Sequence, residues 1–162
     1  MRRRRAARIT LAAVAEAPTV TIVFLVFNRR EELRASLREM LERSEYPSER
    51  VEVIVVDNAS EDGSGEMVRR EFPQVRLIER DENIGVSAWN DGFAQARGEF
   101  VLALDDDCYL PGDGLGRAVE AAERHGADLP IAAAIAQRFA QATEAGHGEE
   151  DMAATYRLSK PS

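Results

Sequence analysis

Three consecutive carboxylates, Asp105, Asp106 and Asp107, directly follow the mostly apolar run FVLAL at residues 100–104. Adjacent negative charges disfavour each other's ionisation, so the cluster is costly unless a cation or a proton compensates it. Carboxylates of this kind suit Mg²⁺ or Mn²⁺, which proteins usually hold with one or two acidic side chains while substrate phosphates supply other ligands. In extended backbone, Asp105 and Asp107 would point to one side and Asp106 to the other. The run predicts a divalent-metal site, and the alternative is an acidic turn exposed to solvent.

A fourth carboxylate, Asp57, follows a second apolar run, VEVIVV at residues 51–56. The segment behind it, NASEDGS at residues 58–64, consists largely of turn-forming residues. From the end of a buried strand, the Asp57 carboxylate could accept hydrogen bonds from a nucleobase or a ribose. The alternative is structural, because Asp, Asn and Ser also cap helices and build turns through their side chains. Both interpretations can hold together.

The stretch NIGVSAWNDG, residues 83–92, repeats an Asn and Gly pairing in Asn83 with Gly85 and Asn90 with Gly92. Gly85 would let backbone approach a ligand at the start of a helix. Gly92 inside a helix costs about 1 kcal/mol unless close packing or a ligand requires it. Packing of the helix against a sheet explains Gly92 as well as a ligand contact does.

The hydrophobic pattern around these polar residues alternates between runs typical of buried strands and segments with helical spacing. The strand-like runs are residues 19–27, 51–56, 75–79 and 99–104, with a fifth candidate at 129–135. Strands alternating with helices predict an α/β fold with a mostly parallel sheet covered by helices on both faces. Ligands of such sheets bind outside the carboxyl ends of the strands. We therefore expect one crevice lined by Asn28, Asp57, the cluster 80–83 and Asp105.

The first helix of this pattern is expected just after residue 28. Asn28 and Glu31 are spaced almost as in a capping box, which predicts that Asn28 caps the helix. Leu33, Leu37 and Met40 then share one helical face. The segment should therefore pack against the sheet.

Length and charge limit the function classes. The 162 residues carry a net charge of −8, which is ordinary for one soluble domain and argues against broad nucleic-acid binding. We expect a disordered basic leader at 1–17, a folded domain at 18–139 and a polar tail at 140–162. A cleaved signal peptide and a weak contact with anionic lipid are alternatives for the leader. With a single cysteine, Cys108, and no long apolar segment, we expect a cytoplasmic location, with peripheral contact at the inner face of the membrane as an option.

Three segments, in their order along the chain, carry a resemblance to a known family. They are TIVFLVFNRREEL, VEVIVVDNASEDGS and NIGVSAWNDGFAQARGEFVLALDDD. Together they closely resemble the nucleotide-sugar half of the family 2 glycosyltransferases with the GT-A fold, over about residues 19–125 and most strongly in rhamnosyltransferase-like and galactosyltransferase-like members. The resemblance implies a Rossmann-like sheet, a UDP-, dTDP- or GDP-linked sugar donor, Mg²⁺ or Mn²⁺, and inversion at the anomeric carbon.

The resemblance also implies roles for individual residues. Asp57 would contact the base, Asp105 would lie near the ribose or the sugar, and Asp107 would bind the metal. Asn83 and Gly85 would form the loop beside the nucleotide. Asn90 would belong to the helix that packs under it.

An inverting transferase also needs a general base for the acceptor hydroxyl. Asp105 and Asp107 resemble the outer members of the family's DxD motif. The family's base is a carboxylate well beyond that motif, often in a Glu-Asp pair before a helix, and Glu150 with Asp151 is similar to that pair. The alternative is an acidic helix start exposed to solvent. The acceptor would be a glycan or a lipid-linked sugar, and a nucleotide-sugar-binding module without catalysis is the competing hypothesis. A phosphoacceptor signalling domain is disfavoured, because it predicts carboxylates after the first strand and a lysine after a later one, whereas the first strand ends at Asn28 and the sole lysine is Lys160.

Overall fold

The computed structural model describes residues 17–110 and 112–124, which form four strands and four α-helices in alternation. In chain order these are β1 (Val20–Val26), α1 (Arg30–Arg43), β2 (Val51–Asp57), α2 (Ser64–Glu71), β3 (Arg76–Glu79), α3 (Trp89–Phe93), β4 (Phe100–Asp105) and α4 (Gly114–Arg124). Two 3-10 turns, Ser48–Arg50 and Gly85–Ala88, precede β2 and α3. The predicted strands are confirmed with each boundary displaced by at most one residue. The fifth candidate strand, 129–135, lies outside the described residues.

The strands form one parallel sheet in the order β3-β2-β1-β4. Its register aligns Val26 of β1 with Asp57 of β2, and Asp57 with Glu79 of β3. On the other side of β1, Leu25 is aligned with Asp105 of β4. The carboxyl ends of all four strands therefore lie along one edge, as expected for an α/β sheet whose ligands bind there.

Helices cover both faces of the sheet, because alternate strand residues are apolar on either side. On the first face, β1 and β2 pack against α1, α2 and α4 through Ile22, Phe24, Val55, Leu33, Leu37, Met67, Val68, Leu115 and Val119. On the second face, they pack against the segment that contains α3 through Val23, Ile54, Val56, Ala88, Trp89 and Phe93. The predicted α/β architecture with a two-sided core is thus confirmed.

Close packing accounts for Gly92. A Cβ atom at this position would lie 2.3 Å from Cγ1 of Val23 and 3.1 Å from Cγ2 of Val56. Any larger residue would push α3 away from the second face of the sheet. Of the two explanations for this glycine, packing is therefore the one that the fold supports.

The predicted capping role of Asn28 is wrong. Helix α1 has Arg29 at its N-cap position, and no side chain caps it. Asn28 instead has a left-handed backbone (φ 54°), which Asn tolerates better than most residues. Its Oδ1 accepts a hydrogen bond from the backbone N–H of Glu61 at 2.7 Å, so the side chain turns away from α1 and towards the loop after β2.

Within residues 17–110 and 112–124, no helix is long and apolar enough to cross a membrane.

Candidate functional site

Asp57 is placed at the end of β2 and is almost fully buried, with 4% of its surface exposed. Its Oδ1 accepts a hydrogen bond from the backbone N–H of Ser60 at 2.9 Å. Its Oδ2 and Oε1 of Glu79 both lie within 3 Å of the point where a Cβ on Gly65 would be, at 2.9 Å and 2.5 Å. Two carboxylates therefore meet at the start of α2, and Arg69 forms an ion pair with Glu79. Asp57 has the structural role in a turn that the sequence allowed, and it also adds an acceptor to the strand-end edge.

Asn58 connects the end of β2 to the predicted loop at residues 83–85. Its Nδ2 donates to Oδ1 of Asn83 at 2.6 Å and to the carbonyl of Gly85 at 3.1 Å. Its Oδ1 accepts from the backbone N–H of Ile84 at 3.1 Å. The side chain is buried, with 2% of the residue exposed. The sequence indicated only that Asn58 is a turn residue. Its position directly after Asp57 was the one sequence feature that could have suggested a role in the site.

Asp62 connects the loop after β2 to the start of α1. Its Oδ2 accepts from the backbone N–H of Arg30 at 2.8 Å, and its Oδ1 accepts from the N–H and the hydroxyl of Ser64 at 3.0 and 2.6 Å. Burial raises the pKa of Asp62, but the hydrogen bonds from Ser64 and Arg30 outweigh it and hold the pKa below its ordinary value. The charged form of Asp62 therefore stabilises this loop.

The predicted nucleotide loop at residues 83–85 is brought to the same edge. Asn83 Oδ1 accepts from the N–H of Gly85 at 2.8 Å as well as from Asn58. Gly85 has φ 64°, and a Cβ there would have no atom within 4 Å, so its backbone conformation requires glycine while its surroundings are open. An approaching ligand would meet this backbone without obstruction.

Asn90 follows at the second residue of α3. Its Oδ1 is buried, and no donor in the described part of the chain reaches it. A buried acceptor without a partner is uncommon in native proteins and indicates a donor from water or from a ligand. Among the described residues, Nε of Arg80, in the predicted cluster 80–83, is the other buried side-chain polar atom without a partner.

The acidic run forms a turn at the end of β4, closed by a 3.0 Å hydrogen bond from the Cys108 N–H to the Asp105 carbonyl. Asp105 and Asp107 are exposed, whereas Asp106 is buried with 7% exposed. The two outer residues are therefore exposed and the middle one is buried, although Asp106 and Asp107 form a turn rather than the extended backbone for which this alternation was expected. The Cys108 thiol hydrogen-bonds to Asp107, and this bond, together with burial, raises the pKa of the thiol, so the turn disfavours a thiolate nucleophile.

Arg29 supplies the positive charge for this turn. Its Nη1 lies 3.2 Å from Oδ1 of Asp106, and its Nη2 lies 3.1 Å from Oδ2 of Asp107. Burial raises the pKa of Asp106 to about 6 against the opposing effect of Arg29, and Asp107 and Asp105 add to the rise. The charge on Asp106 in turn raises the pKa of Arg29. The sequence offered no signal that this arginine, 76 residues before Asp105, contacts the acidic run.

The donor atoms of the turn fit a divalent cation that is shared with a substrate. Asp105 and Asp107 offer exposed carboxylates of the type that Mg²⁺ and Mn²⁺ prefer. Within residues 17–110 and 112–124, no group of three or more acidic, His or Cys side chains could hold a metal by itself. Asp105 and Asp107 would suit an arrangement in which one or two carboxylates bind the metal and phosphate oxygens supply other ligands.

Phe27 is a further residue at this edge that the motif analysis did not select. It follows β1 directly, between the ends of β2 and β4, and is 44% exposed. An exposed aromatic ring at a strand end offers a flat surface for stacking.

The two candidate general bases, Glu150 and Asp151, lie outside the described residues.

The chain is similar in sequence to a known protein family. Residues 21–156 match the family described as Glycosyl transferase family 2. Glycosyltransferase AglE of Haloferax volcanii is 32% identical over 116 residues, which cover 69% of this chain and 38% of that protein.

Two solved structures share the fold. The mannosyltransferase PcManGT from Pyrobaculum calidifontis, in complex with GDP-Man and Mn²⁺, superposes with a TM-score of 0.59 at 34% identity, covering 64% of this chain and 32% of its own. Residues 1–349 of TarS from S. aureus, in complex with UDP-GlcNAc, give a TM-score of 0.60 at 25% identity, covering 67% of this chain and 32% of the other.

The chain thus spans roughly a third of the length of these relatives. The matched region includes all four strand ends and every site residue described above. The match extends over most of the chain, and the chain belongs to glycosyl transferase family 2.

Proposed function

We propose that this chain binds a nucleotide-diphosphate sugar and takes part in metal-dependent, inverting transfer of the sugar to a glycan or lipid-linked acceptor. The observation that carries the proposal is that Asp57, the 83–85 loop and the Asp105–Asp107 turn all lie at the carboxyl-terminal edge of one sheet, with the end of β1 between β2 and β4. The solved relatives hold GDP-Man with Mn²⁺ and UDP-GlcNAc. We further propose that the transferred sugar is a hexose or rhamnose.

The base would bind between Asp57 and Phe27. A nucleobase presents N–H groups at its edge and an aromatic face, and an acceptor beside an exposed ring complements both. Asp57 would accept from the base, while the backbone at Gly85 and the free acceptor of Asn90 would lie along the nucleotide. Asp105 would lie nearer to the ribose or the sugar.

The metal would be held by Asp107 with Asp105. When bound, Mg²⁺ or Mn²⁺ offsets the negative charge that develops on the leaving diphosphate. The two carboxylates orient the diphosphate end of the donor relative to the base subsite. Asp106, which faces the protein and pairs with Arg29, holds the turn in place.

The proton of the acceptor hydroxyl would pass to Asp151 or Glu150. Attack of that hydroxyl on the side opposite the leaving diphosphate inverts the anomeric centre, and a carboxylate base favours it by removing the proton as the bond forms. We assign the donor-binding domain to residues 18–139, the basic leader to 1–17 and the acceptor-side segment to 140–162. A cytoplasmic position, with contact to the inner face of the membrane through the leader, completes the proposal.

A module that binds a nucleotide sugar without turning it over is the second candidate. The candidate residues that the structure describes, from Asp57 to Asp107, are all proposed for donor binding, which such a module would also need. Turnover of the donor in the presence of metal and acceptor distinguishes the two functions, because the module would bind and release the donor unchanged.

Calorimetric titration with UDP, dTDP and GDP, each with and without Mn²⁺, tests the proposal. We expect one nucleotide diphosphate to bind at least tenfold more tightly with Mn²⁺, and Asp107→Asn to remove most of that gain. Asp113→Asn is the matched control, because Asp113 is exposed and pairs with Arg117. Its neighbour Gly112 forms an isolated β-bridge with Ser44 at the C-terminal end of α1, whereas Asp107 contacts Arg29 at the opposite end of that helix. Failure of every nucleotide to bind a folded sample would overturn the donor site, and an Asp107→Asn protein that behaves like the parent would overturn the metal assignment.

A further inference from the structure

Arg29 forms an ion pair with two of the three clustered carboxylates at once. Nη1 reaches Asp106 at 3.2 Å, and Nη2 reaches Asp107 at 3.1 Å. The arginine belongs to the turn between β1 and α1, and the carboxylates follow β4. Because β1 and β4 are paired neighbours, their carboxyl-terminal connections lie side by side. The planar guanidinium group, with several N–H donors in a fixed fork, suits such a bridge.

The two halves of this bridge differ in their exposure to water. The Asp106 side chain is 9% exposed, whereas the Asp107 side chain is 47% exposed. The pair with Asp106 is the more costly one to break, because the Asp106 carboxylate would be left charged in a buried position without its partner. An exposed pair contributes little and exchanges readily with solvent and ions. The bond to Asp107 is therefore the one that can open while the bond to Asp106 persists.

Asp107 is also the carboxylate with the strongest case for binding the metal. Its Oδ2 is occupied by Arg29, and its Oδ1 accepts from the Cys108 thiol at 3.4 Å. A divalent cation at this carboxylate would meet the guanidinium charge at close range, and like charges at such a distance repel. Arg29 and the metal therefore compete for Asp107.

We propose that Arg29 is a resident counter-ion that occupies Asp107 in the free protein and yields it to the incoming divalent cation, while remaining anchored on Asp106. This inference rests on the proposed function, because it takes Asp107 as a metal ligand. Arg29 is then a positioning residue that keeps the acidic turn compensated and folded before the donor arrives, and it sets how tightly the metal binds without a nucleotide.

Calorimetric titration of the full-length protein with Mn²⁺ alone tests the inference. Arg29→Gln removes the competing charge, and we expect it to bind Mn²⁺ about threefold to tenfold more tightly than the parent. Arg29→Lys keeps the charge but cannot bridge two carboxylates as a fork, so its affinity should lie between the two. The gain should shrink at high ionic strength, since the guanidinium is partly exposed.

Arg38→Gln is the matched control, because it makes the same change of net charge at a residue that pairs with Glu71, away from the acidic turn. It should bind Mn²⁺ like the parent. Near-ultraviolet circular dichroism of each variant establishes that the fold is retained. If Arg29→Gln unfolds, Arg29→Lys alone decides the inference, which requires it to bind Mn²⁺ more tightly than the parent.

The outcomes separate this inference from the proposed function. A folded Arg29→Gln protein that binds Mn²⁺ no more tightly than the parent overturns the inference, and the donor site stands if the parent still binds a nucleotide with Mn²⁺. Tighter Mn²⁺ binding by Arg29→Gln, with no nucleotide bound by any variant, supports the inference and overturns the donor site. Absence of Mn²⁺ binding in both the parent and Arg29→Gln overturns the inference, whereas the titration with nucleotide and Mn²⁺ together still decides the donor site, because phosphate oxygens would supply part of that metal's ligands.

Discussion

The loop after β2 and the turn after β4 lie at the same edge of the sheet, on either side of the end of β1, but they are held in different ways. The β2 loop is fixed by side-chain hydrogen bonds to two other loops: Asn58 donates to Asn83, while Ser60 and Asp62 accept from the backbone N–H groups of Asn28 and Arg30. Asn58 is buried, and Ser60 and Asp62 are half-buried. The β4 turn exposes Asp105 and Asp107 and is tied to the β1 connection through Arg29. The β2 loop is therefore held in place before any ligand binds, whereas the exposed carboxylates of the β4 turn can exchange one cationic partner for another.

This difference matches what each side is proposed to bind. Base recognition by hydrogen bonds gains from a rigid arrangement, because less conformational freedom is lost on binding. A metal shared with a diphosphate enters and leaves with the substrate, so its carboxylates gain from remaining accessible to ions. We therefore expect substitutions in the β2 loop to affect stability, and substitutions in the β4 turn to affect metal affinity.

Asn58→Ala should produce the largest loss of stability. It removes three side-chain hydrogen bonds, to Asn83, Gly85 and Ile84, from a buried position. At about 1 kcal/mol for each bond, the free energy of unfolding should fall by about 3 kcal/mol. Urea denaturation followed by circular dichroism measures this change.

Asp107→Asn is the comparison variant on the other side of the edge. It weakens an exposed ion pair, so the free energy of unfolding should change by less than about 0.5 kcal/mol. Equal losses in Asn58→Ala and Asp107→Asn would show that the two regions are not held differently, and would remove the basis of the comparison.

For both regions, the sequence predicted the strands and their polar ends better than the side-chain contacts between the loops. Strand runs and their polar ends were recovered because a strand buried on both faces has a continuous apolar pattern that ends abruptly. The roles of Arg29 and Asn58 were not recovered. Their contacts with Asp106 and Asn83 span large sequence separations, and no local pattern encodes which polar side chains meet across adjacent loops. The same limit explains Asn28, whose short-range spacing indicated a cap while its long-range partner Glu61 determined its conformation.

Asp62→Asn should have an intermediate effect that depends on pH. The hydrogen bonds from Ser64 and Arg30 hold the pKa of Asp62 below its unfolded value of about 3.9, although burial opposes them. The stabilisation by the charged form is therefore present above that value and is lost as the pH falls through the lowered pKa of the folded state. We expect the variant to lose about 1–2 kcal/mol at pH 7 and the difference from the parent to narrow below about pH 4.

Urea denaturation at pH 7 and at acidic pH measures this difference. Asp113→Asn provides the control, because its carboxylate forms a surface pair with Arg117, with both side chains more than 60% exposed. A difference between Asp62→Asn and the parent that stays constant across the acidic range would show that the charge on Asp62 does not stabilise the loop.

Gly85→Ala should reduce stability less than Asn58→Ala or Asp62→Asn, and it separates two roles of this glycine. With φ at 64° and open space around the position, the added methyl group meets no atom but strains the backbone, at a cost of about 1 kcal/mol. Gly116→Ala is the control, because Gly116 lies within α4 with its nearest side-chain atom 3.8 Å from the new Cβ, and alanine there should stabilise the helix by up to about 1 kcal/mol.

Nucleotide affinity in the presence of Mn²⁺ completes the Gly85 experiment. If the backbone at Gly85 lies against the nucleotide, Gly85→Ala should weaken binding by more than the roughly fivefold that about 1 kcal/mol of strain could account for. Binding equal to that of the parent, together with the expected loss of stability, would assign Gly85 to the turn alone. The rigid side of the edge would then contact the donor through the side chains of Asp57 and Phe27, and the 83–85 loop would act only as the partner that Asn58 holds in place.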